Sequence, residues 1–207
     1  KQTLEIYEND FLKCDSIINK YSGFTKLFRF PFLKEGNTTE KRDGFRKFMS
    51  DLGYKNGYAT IDASDWYIDG RICDTLKTDK NFDLTPFKEY YIAHIYDRAM
   101  YYDSLALQLT GRHIKHTLLL HHNLLNAMFL GDLTNFFKVK GWELVNASDA
   151  FKDEVFTLQP DVLPAGESIV WEMAKETGKY ENVLRYPGED GVYEEEALNL
   201  YLKNYFK

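Results

Sequence analysis

The sequence predicts an α/β domain of parallel strands with helices packed over them, and three observations carry that prediction. Residues 117–120 are apolar or β-branched without a break, the make-up of a strand buried on both faces, and the run turns polar at once with His121, His122 and Asn123. Residues 27–33 and 58–61 are two more short apolar runs, the second followed directly by the polar stretch 62–65. Apolar residues at helical spacing fill the stretches between, and strand followed by helix several times over is the pattern of a parallel sheet or barrel. In such folds the carboxyl ends of the strands face the cleft where chemistry is done, so the polar residues closing these runs are candidate reagents, His121 first among them. Two histidines there also suit a plainer role, ending a strand and hydrogen-bonding nearby backbone.

Each element has its own signal. Leu4, Tyr7, Phe11, Cys14, Ile18 and Tyr21 form a helical stripe that Gly23 ends. Residues 27–33 read as a strand stopped by Pro31, with Arg29 inside it. Asn37 and Glu40 have the form of a capping box for a helix through Phe45, Phe48, Met49 and Leu52. After the strand 58–61, residues 67–84 show no clear period and predict an irregular connection. Thr85 as N-cap and Pro86 at the first helical position open the longest helix, which carries Phe87, Tyr91, Ile95, Arg98, Tyr102, Leu105 and Leu109 to Gly111. His94 beside that stripe reads as a partly buried structural residue. Leu125, Met128, Phe129, Leu133, Phe136 and Phe137 predict another helix, and 142–145 a short strand. A proline-containing link, a helix around Ile169, Val170 and Met173, and a last helix from Val192 to Phe206 complete the chain, with Glu194, Glu195 and Glu196 as a solvated helix face.

Composition bounds the function. At 207 residues the chain suits one domain, with 156–207 as a helical C-terminal extension. A formal charge of −6 and the absence of a Lys/Arg tract argue against nucleic acid as the partner. Cys14 and Cys73 fall in no metal or redox spacing, and no apolar run reaches the length of a membrane span. The pair His113 and His116 sits where residues three apart point to opposite faces, which disfavours a shared metal, and no motif supports a serine or cysteine nucleophile.

Three polar clusters thus fall in order along the chain: Arg29-Phe30-Pro31-Phe32, Asp65-Trp66 and Leu119-Leu120-His121. In these residues, and in the flanking RFPFLKEGNT and LLLHHN text, the chain resembles the NodB-type polysaccharide deacetylases, carbohydrate esterase family 4. The three clusters match that family's third motif (Arg-x-Pro-Tyr/Phe), its fourth (Asp then Trp) and its fifth (Leu-x-His), over residues 3–155 or so. The Asp-rich first motif and the His-x-x-x-His second motif have no counterpart, and the opening Lys1-Gln2-Thr3 looks like the point just after the second.

The resemblance implies a deformed (β/α) barrel lacking its first β/α units. Such a barrel would expose edge strands, so it also implies truncation, or an N-terminal segment or second chain that completes it. It implies hydrolysis of N- or O-acetyl groups on a polysaccharide or oligosaccharide, with a divalent metal, zinc in most members, held by the missing part, and a periplasmic or extracellular setting. His121 would be the general acid, favoured as imidazolium by Asp65, and Arg29 would orient the absent aspartate base. The backbone N–H of Phe32 would face the oxyanion, and Trp66 and Leu119 would wall the acetyl pocket. Read alone, Arg29 suits a structural ion pair, Asp65 a turn cap, and Trp66 and Leu119 the core. The same fold without a metal would be a non-catalytic carbohydrate-binding remnant.

Overall fold

The structure is a computed structural model that describes residues 3–185 and 191–207; Lys1 and Gln2 of the opening lie outside them. It corrects the barrel. The described residues form eight α-helices and only two strands of two residues each, β1 (Leu27–Phe28) and β2 (Lys55–Asn56), paired in parallel. The expected strand 27–33 stops at Phe28, because Pro31–Leu33 winds into a 3-10 turn. The 58–61 and 117–120 runs meet in one isolated parallel bridge, Ile61 to Leu118.

Two threonines explain why that ladder does not extend. Thr117 N–H donates to Thr60 Oγ1 (2.8 Å) and Thr117 Oγ1 donates to the Tyr58 carbonyl (2.7 Å), so hydroxyls take up backbone groups that a strand would have paired. Residues 142–145, expected as a strand, form no strand before α6 (Ala147–Ala150); Trp142 N–H instead donates to the Phe137 carbonyl at 3.0 Å.

The helices follow the sequence more closely. α1 (Leu4–Ile18) starts where Thr3 Oγ1 accepts from Ile6 N–H, and α2 (Thr39–Asp51) starts at Thr38, one residue past the cap expected at Asn37. α4 (Thr85–Thr110) has Pro86 at its start and ends on Gly111 at φ 73°, a left-handed cap that glycine adopts without strain. Its N-cap is Leu84, not Thr85. α3 (Asp65–Thr78) occupies the stretch expected to be irregular: Ile68 and Ile72 are buried and Leu76 packs behind them, a stripe at intervals of four.

Burial is divided between two cores. Phe11, Phe30, Phe45, Met49 and Tyr54 join α1, α2 and the strands in a small aromatic cluster. The larger core gathers around α4, which packs against α3, α5 (Leu124–Val139), α7 (Ile169–Thr177) and α8 (Val192–Tyr205) and therefore buries residues around much of its circumference. Ile169, Val170, Ala174 and Leu198 belong to that core, so the C-terminal helices are built into the domain. Glu194 corrects the solvated acidic face. It is buried with Arg98, whose Nη2 donates to Glu194 Oε1 at 3.1 Å, while Glu195 and Glu196 stay exposed.

Candidate active site

The polar ends of the 58–61 and 117–120 runs come together where α3 and α5 begin. Asp65 is the first residue of α3 and has no exposed surface. A carboxylate there stands at the positive end of the helix, yet a buried charge also needs direct partners. Asp65 has four: Oδ1 accepts from His121 Nδ1 (2.7 Å), and Oδ2 accepts from His121 N–H (2.9 Å), Asn123 Nδ2 (3.1 Å) and Asn126 Nδ2 (2.7 Å). With Nδ1 turned to Asp65, the imidazole directs Nε2 away from the carboxylate, and the side chain is 47% exposed.

The chain following His121 fixes this arrangement. Asn123 is the N-cap of α5, its side chain accepting from Asn126 N–H at 2.9 Å. Asn126 is buried, donates also to the His121 carbonyl (2.9 Å), and accepts from Tyr91 Oη (2.5 Å), a phenol whose pKa burial raises, with Asp65 adding to the effect. One turn along α3, Asp69 Oδ1 accepts from Leu125 N–H at 2.9 Å. Two carboxylates of α3 therefore receive the Leu125 amide and the Asn123 and Asn126 side chains at the start of α5.

The other expected residues divide. Trp66 follows Asp65 on α3 and is half-buried, its ring edge-on to Tyr67. Leu119 donates its N–H to the Ile61 carbonyl at 3.0 Å. Leu118 and Leu120 pack against the main core and line a cavity of about 650 Å³ together with Trp142, whereas Leu119 lies on the alternate face with His121.

Arg29 is on the neighbouring arm. Its Nε donates to the Gly57 carbonyl (2.9 Å), its surroundings lower its pKa by desolvation, and among the described residues no carboxylate pairs with it. Neither Arg29 nor Phe32 is hydrogen-bonded to Asp65 or His121. Phe32 is 78% exposed at φ 56°, and Leu33 follows at φ 58°. Two successive non-glycine residues in the left-handed region store strain, on the order of 1–3 kcal/mol each, which the surrounding structure must over-determine.

Asn123, Asn126 and Tyr91 were missed as site residues. Asn123 carries a readable signal, a capping side chain directly before an apolar helix, but the apolar run ahead of it makes the polar cluster look like the end of a strand. Tyr91 and Asn126 look like ordinary helix positions in sequence. Among the described residues no group of three His, Cys, Asp or Glu could hold a metal ion, and His113 and His116 instead share Asp103. The residues present therefore do not fit a resident metal by themselves. No helix among them is long and apolar enough to cross a membrane. Compared with protein-family models, curated proteins and solved structures, the chain has no significant match.

Proposed function

We propose that residues 1–207 are the acid-supplying portion of a carbohydrate deacetylase that removes N- or O-acetyl groups from a polysaccharide or oligosaccharide, similar in its motifs to NodB-type enzymes. The observation that supports this reading best is the Asp65–His121 pair at 2.7 Å, with Nε2 directed away from its carboxylate. His121 delivers a proton from Nε2 to the departing amine or hydroxyl, while Asp65 fixes the ring and stabilises the imidazolium that does so. The two asparagines keep the carboxylate from rotating. Trp66 and Leu119 flank the pair as walls for a small apolar acetyl group, and the Phe32 N–H is the donor for the oxyanion.

Arg29, which has no carboxylate partner among the described residues, is the group that would hold an ionised base supplied from outside them. The reading calls for a divalent metal, zinc by resemblance, whose chemistry is to polarise the acetyl carbonyl and activate water. Its ligands would come from outside residues 1–207, from an N-terminal segment or a second chain. A periplasmic or extracellular setting, where such glycans occur, belongs to the same reading.

The test is acetate release from acetylated chito-oligosaccharides, with and without zinc, wild type against His121→Ala. Metal-dependent release lost in the variant supports the acid assignment; release indifferent to the variant overturns it. The alternative is a non-catalytic carbohydrate-binding remnant. That reading expects glycan binding with no acetate release under any metal.

A further inference from the structure

The first turn of α7 touches both halves of the site. On one side Ser168 Oγ donates to the Thr60 carbonyl (2.7 Å) and Ile169 N–H to the Ala59 carbonyl (3.0 Å), on the run that leads into Asp65. On the other, the segment before α7 is zipped to the arm that carries Phe32. Glu35 N–H and Gly36 N–H donate to the Ala165 carbonyl (2.9 and 3.2 Å), and Ala165 N–H donates to the Gly36 carbonyl (2.7 Å). Gly166 sits at φ 108° so close to this arm that a Cβ would lie 1.9 Å from the Leu33 carbonyl oxygen.

Glu172 stands behind that contact. It has no exposed surface, its Oε1 accepts from Gly166 N–H at 2.6 Å, and its buried Oε2 has no hydrogen-bond partner. A fully buried carboxyl with one unsatisfied oxygen is costly as an anion and tolerable as a neutral acid.

We propose that Glu172 is the positioning residue that couples the two halves of the site. Its neutral carboxyl holds 164–166 against the left-handed Phe32–Leu33 turn, and its ionisation loosens that turn. The groups facing it are Glu35 on the arm, Arg42 and Arg46 on α2, and Tyr58 on the run after β2. Arg46 is already engaged by Glu35 (Nε to Oε1 2.9 Å, Nη2 to Oε2 2.7 Å), and Arg42 by Asp43 and Asp161, so neither cation is left to neutralise Glu172. Burial, with Glu35 adding a like charge, pushes the Glu172 carboxyl up to about 7 against the opposing pull of Gly166 N–H and the two arginines. The device thus operates around neutrality. The catalytic meaning of the Phe32 turn rests on the deacetylase reading; the coupling itself does not.

The test is an NMR titration of the 15N-labelled protein from pH 5 to 8.5, without substrate. Amides of Gly166, Glu35, Gly36 and Phe32 should share one inflection near neutrality. Exchange protection at Glu35 and Gly36 should fall across it on the order of a few hundredfold, the scale set by a carboxyl at about 7 when held and at its ordinary 4.5 when loosened. In Glu172→Gln the inflection should vanish and protection stay constant. In Glu35→Gln, which removes the like charge and frees Arg46, the inflection should move to lower pH, and this arm decides the matter if Glu172→Gln does not fold. Persistence of the inflection in Glu172→Gln, a Gly166 titration with Phe32 unmoved, or an unshifted midpoint in Glu35→Gln overturns the proposal. Because no turnover is read, this result and the acetate assay fail separately.

Discussion

Replacing Glu172 by glutamine should change how stability depends on pH, and both size and sign follow from the structure. The carboxyl ionises near 4.5 in an unfolded chain and at about 7 in the fold, chiefly because burial in the first turn of α7 disfavours the anion. A folded pKa raised above the unfolded one means that the contribution is fully present below 4.5 and is lost as pH rises through 7. At about 1.4 kcal/mol per pH unit, the full loss is on the order of 3 kcal/mol. Urea unfolding of wild type and Glu172→Gln at half-unit steps from pH 4 to 8.5 measures it. The variant carries some constant offset from its altered hydrogen bonding, so the informative quantity is the difference between the two curves. That difference should shift by roughly 3 kcal/mol in the variant's favour between pH 4.5 and pH 8. A difference that stays level refutes the buried, protonated Glu172.

Other expectations concern the same region. His94, buried beside Arg98 with no partner for Nε2, has its pKa lowered to about 4 by burial first and Arg98 second. Its contribution is therefore present above about 6.5 and lost as pH falls through 4, so His94→Gln should flatten the acid side of the urea profile. Asp65→Asn must turn an amide N–H toward donors that now face carboxylate oxygens, and unfolding should show a loss of about 3 kcal/mol or more. Phe32→Gly relieves a left-handed non-glycine residue whose ring is largely in solvent, so it should raise stability by about 1 kcal/mol. Gly166→Ala drives a methyl into the Leu33 carbonyl and should cost at least about 3 kcal/mol in the same assay.

Helices with a broad apolar stripe and a glycine stop were legible in the sequence. α4 runs from Pro86 to its left-handed cap at Gly111 as its spacing predicts, and α2 and α5 follow suit within a residue or two, whereas α1 ends at Ile18 and not at the expected Gly23. α3 was not, because Asp69, Gly70, Asp74 and Thr75 dilute a stripe carried by Ile68, Ile72 and Leu76, and tertiary packing overrides their weak propensity. The strands misled for a different reason. Residues 117–120 have a buried strand's composition and do run extended, but Thr60 and Thr117 divert the ladder into side-chain bonds, which periodicity cannot show. Glu194 was unreadable as a buried residue because its partner Arg98 lies on α4, 96 residues away in sequence. For the site, the Asp65–His121 pairing was expected only from the family resemblance, and the asparagines that hold it were not expected at all.

The central claim is that His121, oriented by Asp65, donates the proton that releases an amine or hydroxyl from its acetyl group. Acetate release from acetylated chito-oligosaccharides, assayed with and without zinc, tests it most directly. The account predicts that His121→Ala, although it costs about 1–3 kcal/mol of urea stability by leaving buried Asp65 Oδ1 unpaired, stays folded and lowers the rate by about a hundredfold or more. Zinc-dependent release at an undiminished rate in that variant would contradict it.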